Sequence, residues 1–157
     1  MDNQPLYKRD VVRSIRSTKR CFVIQPFDGG DFDNRFDEVL KPAIQEADLE
    51  AYRVDRDPSA SIPIEKIESE ISAAAVCLAD ISGDNPNVWF ELGYAIAAGR
   101  PTCLICNRAR ERFPFDVQHR KIVRYGTGSI SDFSELGRRI TEQLKALLEQ
   151  EAKGAEP

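Results

Sequence analysis

The sequence contains one histidine, one tryptophan, one methionine and four cysteines in 157 residues, and each scarcity removes a class of chemistry. With His119 as the only imidazole, no paired-histidine zinc site and no Ser-His-Asp or Cys-His nucleophile can be confidently assembled. No apolar run approaches the roughly 20 residues that cross a bilayer, and the polar start lacks the hydrophobic stretch of a signal peptide, so a cytoplasmic protein without a membrane contact is expected. Neither a GxGxxG turn nor a P-loop occurs, and Gly29-Gly30 is too short a signal to specify phosphate binding. The net charge of -4 argues against a protein held on nucleic acid by a general positive field.

The cysteines, Cys21, Cys77, Cys103 and Cys106, fall in apolar, strand-like runs, where a free thiol packs as a small hydrophobe. Cys103 and Cys106 form a CxxC, but within PTCLIC, mid-strand, whereas redox and zinc motifs of this spacing sit at a turn or helix start. All four are read as reduced and structural.

What is present is an ordinary globular balance: 41% apolar against 31% charged residues, enough Ile, Leu, Val and Phe for the chain to fold alone as one domain. Residues 1–19 form a basic arm, its cluster of Lys8, Arg9, Arg13, Arg16, Lys19 and the adjoining Arg20 set beside Val11, Val12 and Ile15, open to reading as a solvated segment or a docking segment. Residues 20–150 carry the domain, and 151–157, EAKGAEP, read as a disordered tail.

Within the domain, apolar runs alternate with amphipathic stretches, the pattern of βα units laid into a parallel sheet. The strands are CFVIQPF, LEAYRVD, AVCLADIS, PTCLICN and a weaker one near IVRYG. Between them lie a helix with Phe36, Leu40, Ala43 and Ile44 on one face, interrupted at Pro42 by a kink or restart, and a helix marked by Ile64, Ile67 and Ile71. A third runs from Pro86 to about Ala98, with Asn85 as N-cap and Gly99 as stop. Ser131 caps a last helix striped by Phe133, Leu136, Ile140, Leu144 and Leu147. Right-handed crossovers then give a flavodoxin-like (Rossmann-like), doubly wound α/β fold, a five-stranded parallel sheet of order 2-1-3-4-5. Ligands of such sheets bind beyond the strands' carboxyl ends where the order reverses. Here that places the loop from Gln25 to Asn34 opposite the loop from Asp80 to Asn87.

The string ADISGDNPNVWFELGYAIAAGRP puts Asp80 at a strand end, Asp84, Asn85 and Asn87 in the loop, and Glu91 in the next helix, just beyond the edge of its apolar arc. Glu91 reads equally as a good helix former near a helix start, where the dipole favours an acid, and Asp80 and Asp84 as strand-end and turn residues.

At this string, supported by FVIQPF, KPAIQEA and IEKIESEI, the chain resembles the nucleoside 2-deoxyribosyltransferase-like proteins and the related TIR-like domains of bacterial defence and signalling, over roughly residues 20–148. The resemblance implies cleavage of an N-glycosidic bond in a nucleoside, a nucleotide or NAD, with Glu91 attacking or stabilising the anomeric carbon. It also admits a non-catalytic module that senses a nucleotide or assembles with partners, homo-oligomers included. Asp80 and Asn85, with Asp84 and Asn87 behind them, are the candidates for a second acid or amide. Gln25, Phe27 and Asp28 are placed to meet the base or ribose, although Phe27 and Trp89 also fit a core role. No cofactor is implied beyond NAD as a substrate. The loop reads DNPN where the deoxyribosyltransferases carry an acidic pair followed by Gly, a departure that favours hydrolysis or binding over transfer between bases.

Overall fold

Runs of consecutive apolar residues form the three central strands, covered on both faces, and two shorter, less buried edge strands complete the sheet. The structure, a computed structural model, describes residues 19–57, 64–114 and 116–155. The basic arm before Lys19 and the loop between Asp57 and Ile64 thus lie outside the described residues. The strands are β1 (Arg20–Ile24), β2 (Glu50–Tyr52), β3 (Val76–Asp80), β4 (Thr102–Asn107) and β5 (Ile122–Tyr125), all parallel, in the order β2-β1-β3-β4-β5. The expected fold class and strand order are observed. Cα register pairs Ile24 with Ala79 and Ala79 with Leu104, so β1 and β3 finish nearly level, with Gln25 and Asp80 side by side at the rim, and β4 runs on to Asn107.

Alternation along β3 sends Val76 and Leu78 to one core and Cys77 and Ala79 to the other. Helix α1 spans 31–46 in three parts: Asp31–Arg35, a π turn Phe36–Leu40, and Lys41–Glu46. The restart at Lys41 puts Pro42 in a first turn, where its missing N–H is harmless, and the widened π turn before it absorbs the misfit. Helices α1 and α4 (Ile130–Gly154) cover the first face, and α2 (Ile64–Ala73) and α3 (Pro86–Ala97) cover the second. Helices α1 and α4 approach closely at Gly137, where an added Cβ would lie 3.9 Å from Val39 and 4.0 Å from Ala43.

Three boundaries differ from the sequence expectation. Strand β2 stops at Tyr52 because Val54–Arg56 tightens into a 3-10 turn. The cap of α4 is Ser129, whose Oγ accepts from the Asp132 N–H at 3.2 Å; Ser131 is already inside the helix. That helix runs on through Glu151–Gly154, where the sequence leads one to expect a disordered tail: once propagating, a helix needs no apolar stripe to add Glu, Ala and Lys, which are good helix formers.

All four cysteines are free and buried. Cys103 and Cys106 point into opposite cores, as strand residues three apart must, so the CxxC cannot chelate or close on itself. Burial pushes the Cys77 and Cys103 thiols up to about 12, which keeps them protonated and unreactive at neutral pH.

Candidate functional site

The site is set by the start of α3. Asn85, in extended backbone, caps the helix: its Oδ1 accepts from the Asn87 N–H at 2.9 Å and the Val88 N–H at 3.2 Å, and Pro86 follows at the first helical position. Fixing that end fixes the helical phase, which turns Val88, Glu91, Leu92 and Ala95 inward. Glu91 therefore lies on the buried face itself rather than at its edge, and only 7% of it is exposed. At the other end Gly99 takes φ +67°, the left-handed stop expected of it.

Glu91 borders a hollow of about 650 Å³ at the carboxyl end of the sheet. Gln25, Pro26 and Phe27 from the loop after β1 form one wall, and Asn85, Pro86, Asn87, Phe90 and Glu91 the facing wall. Val54, Ile64 and Ile67 supply apolar surface. The rings of Phe27 and Phe90 are about half exposed, unlike core aromatics. Among the described lining residues there is no Lys, Arg or His.

The electrostatics follow from that lining. Desolvation pushes the Glu91 carboxyl up to about 7, and among the described residues neither a hydrogen bond nor a neighbouring charge opposes it. An acid on a buried helix face without a hydrogen-bonding or cationic partner is costly, and folded chains rarely keep one without a use for it.

The expected site residues divide. Gln25, Phe27, Asn85, Asn87 and Glu91 meet at this hollow. Asp80 does not: it follows the alternation of β3 to the α1/α4 face. There its Oδ2 accepts from Tyr125 Oη at 2.7 Å, its Oδ1 accepts from Ser82 N–H at 3.0 Å and Ser82 Oγ at 2.5 Å, and Arg35 Nη1 stands 3.8 Å away. Burial raises its carboxyl, and the donors from Ser82 and Tyr125 pull the other way. Asp84 is exposed and bonded at 2.6 Å by Arg110 Nη2, whose guanidinium lies over the rings of Trp89 and Phe113. Asp28 closes its own turn, accepting from Gly30, Phe32 and Asp33 N–H groups, which hold its carboxyl below the usual range. It borders a second hollow of about 540 Å³ on the α1/α4 face, with Arg35, Ser82 and Asn107.

Two participants were not foreseen. Phe90 lies on the outer side of α3's stripe, where periodicity assigns solvent. Arg53, in RVDRD, reads as the charged end of a strand, but is buried, with its Nη1 donating to Gln25 Oε1 at 3.0 Å. No local pattern marks either one, because both are defined by what β1 brings alongside.

Comparison with known proteins bears on the fold. No protein-family model matches the chain, and no curated protein matches it. Among solved structures it is similar to the TIR domain of the Toll-related receptor TRR-2 from Hydra magnipapillata, with a TM-score of 0.56 over 81% of this chain and 96% of that one, at 14% sequence identity. At that identity the likeness establishes architecture alone. This chain has a TIR-like, flavodoxin-like α/β fold.

Proposed function

We propose that the chain is a TIR-like signalling module that binds a nucleoside-containing ligand of the NAD class in the hollow beside Glu91, and that ligand occupancy governs its assembly with further copies. The observation that carries the reading is the Glu91 carboxylate, 7% exposed and without a hydrogen-bonding partner among the described residues, beside Phe27 and Phe90. Half-exposed rings offer stacking surface to a planar base, and Gln25 and Asn87 offer amides to hydroxyls. With no cationic side chain in the described lining, the hollow suits the base and sugar, with any phosphates outside it. No described helix is long and apolar enough to cross a membrane, and the cytoplasm is the proposed location.

A second reading is favoured by the same carboxylate. Cleavage of an N-glycosidic bond develops positive charge on the sugar, and a fixed acid in a desolvated pocket stabilises charge that appears only as the bond breaks. Asp80, expected as the second acid, is on the other face, so any assistance to the leaving base falls to the amides of Gln25, Asn85 and Asn87.

Incubation with nucleosides, deoxynucleotides and NAD, read by thermal shift for binding and by chromatography for released base, tests both. Binding without release supports the module. Release abolished by Glu91→Gln supports the glycosidase. A flat thermal response to every compound rejects the site.

A further inference from the structure

We infer that Arg53 is a positioning residue for the hollow: it lines no part of the cavity, yet it fixes Gln25 and Phe27, which form the wall contributed by the loop after β1. The inference rests on the reading of that hollow as a ligand site.

Arg53 follows the last residue of β2, and its side chain is wholly buried, at 0% exposure. A buried guanidinium is retained only when its donors are satisfied in several directions. Here Nε donates to Asp55 Oδ1 at 2.6 Å and Nη2 donates to Asp55 Oδ2 at 2.6 Å and to Asp33 Oδ1 at 2.8 Å. Nη1 is aimed differently, donating to Gln25 Oε1 at 3.0 Å. The guanidinium carbon lies 5.0 Å from the ring centre of Phe27 and 4.8 Å from that of Phe36. Neutralising Asp33 and Asp55 requires neither the bond to Gln25 nor the stack on Phe27, and those two contacts are the ones that reach the hollow.

The consequence for Gln25 is geometric. Arginine only donates, so Oε1 must face it, and Nε2 is thereby turned to donate to the Phe32 carbonyl at 3.2 Å. One amide N–H and one oxygen lone pair remain for a ligand, in a fixed direction. Asp33 Oδ2 also accepts from the Gly29 N–H at 3.1 Å, so Arg53 is tied through Asp33 to the turn that closes this loop. A lysine at this position keeps the charge but cannot bond Asp55, Asp33 and Gln25 together in a plane.

The test uses the full chain, with the Gln25 side-chain amide followed by NMR and NAD as the binding probe. In Arg53→Lys, backbone signals of the sheet persist, the Gln25 amide moves to the position and exchange rate of a free glutamine, and NAD binding weakens on the order of tenfold. Gln25→Met weakens NAD binding similarly, and the double variant is weaker than Gln25→Met alone by less than the full Arg53→Lys loss, because the Gln25 contact is shared and only the stack on Phe27 is lost anew. An unmoved Gln25 amide in Arg53→Lys, or affinity losses that multiply in full in the double variant, overturns the inference. If Arg53→Lys does not fold, Asp55→Asn loosens the same guanidinium from its exposed side, and an unmoved Gln25 amide there overturns it equally. If the wild type binds no NAD, the reading of the hollow fails, while the Gln25 amide still decides the role of Arg53.

Discussion

The carboxylates of Asp80 and Glu91 lie on opposite faces of the β-sheet, Asp80 among Tyr125, Ser82 and Arg35 and Glu91 beside Gln25, Phe27 and Phe90. The two acids therefore have separate jobs. Asp80 is held by donors in the dense α1/α4 face, and Glu91 has none among the described residues.

Asp80→Ala is expected to cost stability and leave the hollow intact. Removing it strands the Ser82 N–H, deprives the half-buried Arg35 guanidinium of its nearest carboxylate and leaves the Tyr125 hydroxyl only Arg35 and Ser82 as partners, a loss of about 2 to 4 kcal/mol. Denaturant unfolding measures it, and NAD affinity at a temperature where the variant is folded stays at the wild-type value.

Glu91 should make stability fall as pH rises. Its carboxyl is raised from 4.5 to about 7, so between those values the folded state holds the proton that the unfolded state has released. The sign is the reverse of a salt-bridged acid: the contribution is complete below the unfolded value and is lost as pH rises through the folded one. Wild type should lose about 3 kcal/mol relative to Glu91→Gln across this window, a difference read from paired urea titrations at several pH values. A constant difference between the two proteins contradicts the burial of this acid.

Asn85→Ala should remove about 1 kcal/mol, the usual worth of an N-cap whose side chain serves two amide hydrogens. Because that cap sets the phase of α3, NAD affinity should fall with it. Thermal unfolding and calorimetric titration on one preparation check both.

Phe90→Ala separates ligand contact from core packing. The ring is 48% exposed, so its truncation should change stability by less than about 1 kcal/mol while weakening NAD binding several-fold. Ile71→Ala is the control with the opposite pattern: fully buried, it should cost about 3 kcal/mol.

The sheet was legible because its three central strands are apolar runs bounded by turn residues, and Asn85, Pro86 and Gly99 punctuate α3 with residues whose backbone preferences leave little choice. The rule that ligands gather where strand order reverses pointed to the loops of Gln25, Phe27, Asn85 and Asn87, and the family resemblance pointed to Glu91; all five border the hollow. Asp80 was misplaced because a strand's last residue can serve either face, and only the register of β3 decides it. Arg53 was invisible since its role is created by Gln25, which reaches it across β1 and β2. The restart at Pro42 was foreseen, but the π turn beside it has no sequence signature.

The most direct test of Glu91 as the residue that meets the ligand is calorimetric titration of NAD into wild type and Glu91→Gln between about pH 6 and about pH 8. NAD carries a positive charge on its nicotinamide ring, and that charge favours ionised Glu91. Wild-type affinity should therefore rise with pH and level off above about 7, with a proton released on binding below that point, and Glu91→Gln should bind more weakly with no pH dependence. Equal affinity and an identical pH profile in the two proteins would contradict the account.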